Sequence, residues 1–68
     1  MTKQIIFFNE PVPGWFKNFL ATITETHTFY TVNKSLVLHN AVLEYRRRTY
    51  SIIFDTPEDA TAFILKFS

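Results

Sequence analysis

Apolar side chains in the last third of the chain change from an alternating to a helical spacing. In Tyr50–Phe54 every second side chain is large and apolar, which is the period of a strand with one buried face. Farther along, apolar residues are spaced by three, four and seven positions, at Ala60, Phe63, Ile64 and Phe67. This spacing predicts a helix that packs one stripe against a core.

The start of this last helix is marked by local chemistry. Thr56 suits the N-cap position and Pro57 the first helical position. Glu58 and Asp59 place negative charge in the first turn, where the helix dipole favours it. Both residues are therefore explained by the helix and not by acid-base chemistry.

The first half of the chain predicts a strand, a break and a helix. Gln4–Phe8 is apolar on both faces, which favours a central strand over an edge strand. Two prolines and a glycine interrupt the chain in Asn9–Gly14. From Trp15 to about Thr24, apolar residues at helical spacing predict a helix; they are Phe16, Phe19, Leu20 and Ile23.

The middle of the chain predicts two further strands. Thr24–Val32 is rich in threonine and aromatic residues, which favour strands, and Asn33-Lys34 is a candidate turn. Leu36–Tyr45 alternates imperfectly and carries apolar residues on both faces. A strand of this kind is expected to lie between two layers or to offer one face to a partner.

Three arginines follow, and two structures are compatible with them. One long strand could extend from Val42 to Phe54, or Arg46 and Arg47 could form the tip of a hairpin. The hairpin would pair Leu43 and Tyr45 with Tyr50 and Ile52. We favour the hairpin because strands average about five or six residues and guanidinium groups are easily hydrated at a tip. Glycine and asparagine, the usual residues of such turns, are missing.

The element order β-α-β-β-β-α predicts an α+β fold in one domain, residues 1–68. A small antiparallel sheet with two helices packed on one face is the expected architecture. Its second face would remain unprotected. We expect binding or dimerisation to use that face.

Composition narrows the classes of function. A chain of 68 residues has a small core, and no cysteine is present to supply disulfides. His27 and His39 do not form a metal motif, and His39 is expected to be structural. No metal, cofactor or catalytic group is predicted, so the protein is expected not to be an enzyme. Self-association is the remaining way to supplement the core.

Charge and hydropathy point to a cytoplasmic protein with a local binding site. The net charge is only +1, so no global basic field is present. Ile5–Phe8 is too short for a signal peptide or a membrane span. Aromatic residues make up 18% of the chain, and we expect some of them to reach the surface, where they mark interfaces.

The segment from Arg47 to Ile64 resembles the third strand and second helix of RNA-recognition-motif domains. The resemblance rests on the sequence from Phe54 to Ala60, an aromatic followed by Asp-Thr-Pro-Glu-Asp-Ala. Aligned at Phe54, the two base-stacking positions of that family fall on Thr49 and Ser51. Without stacking rings there, the family's mechanism of RNA binding does not transfer.

The end of the chain is also similar to the endings of small accessory proteins of tailed phages. Those proteins close with an aromatic, a leucine, a basic residue and a final aromatic, as Ala62–Phe67 does here. The resemblance implies a factor that binds a host or phage protein.

The sequence therefore predicts a protein-binding module, with single-stranded nucleic-acid binding as the alternative. Aromatic residues and arginine dominate interface energetics. The candidate partner-binding residues are Trp15, Tyr30, Tyr45, Arg46, Arg47, Arg48 and Tyr50. In the nucleic-acid alternative, the arginines would contact phosphates and the flanking tyrosines would stack on bases.

Overall fold

The fold combines a three-stranded antiparallel sheet with three α-helices. A computed structural model describes residues 2–68. Its elements are β1 (Gln4–Phe8), α1 (Gly14–Ala21), α2 (Phe29–Leu36), a 3₁₀ turn (Val37–His39), β2 (Ala41–Arg46), β3 (Thr49–Phe54) and α3 (Pro57–Lys66). The strand order is β1-β3-β2. The predicted α+β class is confirmed, with three helices where two were expected.

One face of the sheet is packed against the helices, and we call the opposite face the outer face. The fully buried side chains are Phe19, Leu36, Ile52, Phe54 and Phe63. They come from all three helices and from β3, the central strand. Because side chains alternate along a strand, Ile53 and its neighbours at odd positions of β3 belong to the outer face.

The last helix forms as its sequence predicts. Thr56 caps α3, since its Oγ1 accepts a hydrogen bond from the Asp59 N–H at 3.1 Å. Pro57 occupies the first turn, and Ala60 and Phe63 are buried. The first predicted helix also forms, with Phe16 and Phe19 buried.

The prediction of a strand in Thr24–Val32 is wrong. The segment contains a loop and the first half of α2, and Asn33-Lys34 lies inside that helix and not in a turn. Thr28 and Thr31 explain the difference, because each side chain accepts a hydrogen bond from the backbone N–H of the other, at 3.2 and 2.9 Å. This capping box starts the helix, although threonine replaces the usual glutamate.

The predicted strand Leu36–Tyr45 begins five residues late. Leu36 ends α2, and the 3₁₀ turn follows before β2 starts at Ala41. Asn40 ends the 3₁₀ turn in the left-handed conformation (φ 57°), which asparagine tolerates better than most residues. The apolar residues before Asn40 therefore belong to helical turns.

The hairpin is confirmed, with its tip moved by one residue. The two predicted strand segments do pair, with Tyr45 opposite Tyr50 and Leu43 opposite Ile52. Arg46 pairs with Thr49, so the tip consists of Arg47 and Arg48 instead of Arg46 and Arg47. Both tip residues have positive φ, 50° and 65°, as a type I′ turn requires.

The prediction that Gln4–Phe8 is a central strand is also wrong, because β1 lies at an edge of the sheet. Its alternate residues Ile5 and Phe7 are exposed on the outer face, and Ile6 and Phe8 are half-buried toward the helices. The segment Thr24–Val32, which was expected to form a fourth strand, contributes to α2 instead. The sheet consequently has three strands.

The free edge of β2 is covered by a side chain from α2. Asn33 Oδ1 accepts a hydrogen bond from the Leu43 N–H at 2.6 Å, and Asn33 Nδ2 donates to the Leu43 carbonyl at 3.3 Å. One amide side chain thus satisfies both backbone groups of Leu43, as a residue of a neighbouring strand would. These groups are partly buried, so leaving them unpaired would be costly.

We expect Asn33→Ala to lower the free energy of unfolding by about 1–3 kcal/mol, because the Leu43 backbone would lose both partners. Urea denaturation measures this value. Asn18→Ala is the matched control: Asn18 donates to the Phe67 carbonyl at 2.7 Å, but from an exposed site. Its loss should cost no more than about 0.5 kcal/mol. Equal losses in the two variants would contradict a special role for Asn33.

Candidate functional site

The outer face carries a row of apolar side chains that crosses all three strands. Ile5, Ile53 and Val42 are aligned by the register of β1, β3 and β2. Phe7 extends the row along β1. The exposed fractions are 44% for Ile5, 67% for Phe7 and 41% for Val42, so this surface is open to water.

A shallow cavity of about 280 Å³ lies at one end of this row. Val37, Val42 and Ile53 supply its apolar lining, and Lys3 and Asp55 stand at its rim. Lys3 Nζ lies 3.7 Å from Asp55 Oδ1, and both side chains are largely exposed. Such a surface ion pair adds little stability, and both groups remain free to contact a partner.

The arginines lie at the opposite end of the sheet. Arg46, Arg47 and Arg48 are exposed. In residues 2–68, Lys3 and Asp55 form the one ion pair with a nitrogen–oxygen distance below 4 Å. No carboxylate therefore lies within 4 Å of the three guanidinium groups. Arg46 alternates with Glu44 and Val42 along β2 and therefore shares the outer face with them.

Tyr45 and Tyr50 lie on the helix-packed face and not on the outer face. Their ring centroids are 4.6 Å apart, and Tyr50 stacks on Phe8 at 5.5 Å. The three rings form a ladder across the end of the sheet nearest the hairpin tip. Tyr50 is half-buried by this packing, and Tyr45 keeps 47% of its surface exposed.

The two remaining predicted residues lie elsewhere. Trp15 is half-buried and packs edge-on against Phe8 and Phe63, at 6.0 and 5.9 Å, so its surroundings are those of a core residue. Tyr30 is 74% exposed on α2, where it flanks a shallow cavity with Phe29 and Val37. The fold thus gathers the arginines, Tyr45 and Tyr50 at the hairpin, places Trp15 behind Phe8 of the same ring ladder and leaves Tyr30 on α2.

Another cavity, of about 390 Å³, lies between α1, α2 and the helix-packed face. Its lining is mostly apolar, with Phe16, Leu20 and Val32 among the residues that surround it. His27 stands at its border and makes a 3.1 Å hydrogen bond through Nε2 with the Ile23 carbonyl. This bond fixes the ring against the end of α1.

His39 is half-buried in a cluster of phenylalanine rings. Its ring lies edge-on to Phe63 at 5.1 Å, to Phe67 at 5.6 Å and to Phe19 at 6.1 Å. Burial lowers the pKa of His39 below its ordinary value of 6.5, and the positive charge of Lys66 lowers it further. The neutral imidazole is therefore the form that the fold stabilises, as expected of a structural histidine.

Two classes of site find no support in the part of the chain that the structure describes. Residues 2–68 contain no group of three or more histidine, cysteine, aspartate or glutamate residues that could hold a metal ion. None of the helices in the same range is long and apolar enough to cross a membrane.

Comparison with known protein families, with curated proteins and with solved structures finds no match to this chain. The resemblances to RNA-recognition-motif domains and to phage accessory proteins accordingly stay predictions.

The apolar row on the outer face was not identified from the sequence. Gln4–Phe8 was expected to be a central strand with apolar residues on both faces, and the sequence did not assign Ile5 and Phe7 to the unprotected face. Val42 and Ile53 were placed in strands, but their side of the sheet depends on which elements cover it. One pattern in the sequence could have indicated this row. β1 and β3 carry apolar residues at both odd and even positions, and a chain with few helices can cover only one face of the sheet.

The hairpin tip yields a prediction about stability. Arg47 and Arg48 adopt positive φ, which costs roughly 1–2 kcal/mol for each residue other than glycine. We expect Arg47→Asn with Arg48→Gly to raise the free energy of unfolding by about 1–2 kcal/mol, because this pair suits a type I′ turn. Arg46→Thr, a change in the adjoining strand, removes a like charge without relieving strain and should stay within about 0.5 kcal/mol. An equal gain from Arg46→Thr would identify charge repulsion as the cause.

The lowered pKa of His39 predicts weaker folding in mild acid. The native imidazole releases its proton more readily than the unfolded one, so the unfolded state binds more protons as the pH falls through 6.5. The free energy of unfolding should fall with pH until the lowered native pKa is passed. Urea titrations in a His27→Gln background isolate His39. His39→Phe, which keeps an aromatic ring, should flatten the profile between pH 7 and 5, and an unchanged slope would refute the assignment.

Proposed function

We propose that this protein is a non-enzymatic interaction module that binds another protein through the outer face of its sheet. The observation that supports the proposal is the apolar row of Ile5, Ile53 and Val42, continued by Phe7, in which Ile53 is half-buried and the other three are exposed. A small domain has few apolar residues to spare, and leaving four of them on one uncovered face is costly unless a partner buries them. Both histidines have structural surroundings, which favours binding over catalysis.

Different charged groups lie at the two ends of the outer face. The apolar row lies toward the Lys3–Asp55 rim, and Arg46 and the hairpin tip lie at the other end of the same face. A partner that fits this face would present an apolar ridge with a carboxylate cluster at one end. Aromatic and arginine side chains at such an edge supply specificity and faster association.

The resemblance at the end of the chain suggests where such a partner is found. A phage accessory factor would act in the cytoplasm of the infected bacterium and bind a host or phage protein. The turn conformation of Arg47 and Arg48 agrees with selection for contact, because the strained backbone would be relieved by glycine.

Single-stranded nucleic-acid binding is the second candidate, and the hairpin supports it. Three arginines without a carboxylate partner stand beside Tyr45, whose ring is about half exposed. Guanidinium groups bind phosphates and a tyrosine ring stacks on a base. Only one partly exposed ring is available beside the arginines, since Tyr50 is held by Phe8 and Tyr45.

Affinity capture from a bacterial lysate, with the bait tagged at its C-terminal end, tests the first candidate. We expect the wild-type protein to recover a stoichiometric protein that survives nuclease treatment. Val42→Thr with Ile53→Thr keeps β-branched side chains but makes the row polar, and should weaken binding at least roughly tenfold, or about 1.4 kcal/mol. Leu65→Gln, which changes an exposed apolar residue on α3, is the matched control and should bind normally.

The outcomes separate the two candidates. Undiminished recovery by the Val42→Thr and Ile53→Thr variant would reject the outer face as the binding site. Nucleic acid recovered by the wild-type protein and lost with Arg47→Asn and Arg48→Gly would instead support the hairpin. That pair of changes preserves the turn, so its effect cannot be ascribed to a damaged fold.

A further inference from the structure

The edge strand β1 has the sequence of a strand that is covered on both sides. Its residues Ile5, Ile6, Phe7 and Phe8 are consecutive and apolar. Edge strands are usually protected by charges, proline or a bulge, and Gln4–Phe8 contains none of these. The mismatch between a central-strand sequence and an edge position requires a physical explanation.

The hydrogen-bond pattern shows which backbone groups of β1 are free. The Asp55 N–H donates to the Asn40 carbonyl at 3.0 Å, next to the pair of Ala41 and Phe54. Since hydrogen-bonded pairs alternate in an antiparallel ladder, odd residues of β3 bond to β2 and even residues bond to β1.

The β1 partners of those even residues are Gln4, Ile6 and Phe8. Ile5 and Phe7 consequently direct their N–H and C=O groups away from the sheet. A long contact of 3.5 Å from the Gln4 side-chain amide to the Ile5 carbonyl agrees with this orientation. Within residues 2–68, β3 is the one strand paired with β1, so its outer edge is open.

The opposite edge differs, because Asn33 already occupies the outward groups of Leu43 on β2. Strand addition is therefore favoured at β1.

We propose that β1 pairs in antiparallel orientation with β1 of a second copy, joining two sheets into one of six strands. A two-fold axis at Ile6 places Ile5 opposite Phe7 of the other copy, and Phe7 opposite Ile5. These are the residues whose backbone groups point outward, so four hydrogen bonds form across the axis. On the outer face the same pairing brings isoleucine against phenylalanine twice, a favourable cross-strand contact.

Charge complementarity selects a second copy in this orientation. Lys3 precedes β1 and Glu10 follows it. Antiparallel pairing brings the Lys3 end of one strand to the Glu10 end of the other, twice in each dimer, with Lys3 bordering the outer face and Glu10 the helix-packed face. Parallel pairing would bring like charges together, which is unfavourable. The dimer leaves Val42 and Ile53 uncovered and does not depend on the function proposed for them.

Sedimentation equilibrium from micromolar to millimolar protein tests the dimer. The wild-type mass should rise with concentration from 8.0 kDa toward twice that value. Ile5→Pro removes an outward N–H without touching the β1–β3 ladder, and edge positions of this kind tolerate proline. This variant should weaken dimerisation at least roughly tenfold, or about 1.4 kcal/mol. Ile5→Thr retains the N–H and should still form the dimer.

Amide hydrogen exchange of the wild-type protein provides a measurement that needs no variant. The N–H groups of Ile5 and Phe7 should become protected as concentration rises, and those of Ile6 and Phe8 should be protected throughout. A monomer at millimolar concentration, or a dimer in which Ile5 and Phe7 exchange freely, would overturn the proposal. The Val42→Thr and Ile53→Thr variant should form the same dimer, which separates this result from the partner-binding experiment.

Discussion

The register of the β2–β3 hairpin is the constraint on which the rest of the structure depends. A two-residue tip at Arg47 and Arg48 places Tyr45 opposite Tyr50 and Leu43 opposite Ile52. A slip of one residue would turn every buried side chain of a strand to the other face. Because β3 also pairs with β1, the same register decides which residues of all three strands meet the helices and which form the outer face.

Local sequence predicted those elements whose determinants are close together. The cap, the proline and the acidic first turn of α3 lie within four residues, and the structure reproduces each of them. Typical strand length and the hydration of arginine at a tip predicted the hairpin, with its tip one residue early. The helix α2 was missed because threonine and aromatic residues favour strands on average, whereas here the Thr28 and Thr31 side chains bond to the backbone and start a helix.

The candidate site was less accessible to prediction, because exposure depends on tertiary arrangement. Residue type correctly marked Tyr30 and the arginines as surface groups, but Trp15 packs into the core. Whether the outer face is exposed depends on how many helices the whole chain forms and on which face of the sheet they pack. Because the three helices all pack on the same face of the sheet, none of them covers Phe7 or Val42, and residues that resemble core become surface.

The amide of Asn33 has a consequence for the growth of assemblies. A sheet with two open edges can add copies without limit, as fibrils do, whereas a sheet with one edge blocked can add strands only at the other. By occupying the outward groups of Leu43, this side chain blocks the middle of the β2 edge against a further strand. In the proposed dimer, two hydrogen bonds from one side chain would thereby limit growth of the sheet to its β1 edge.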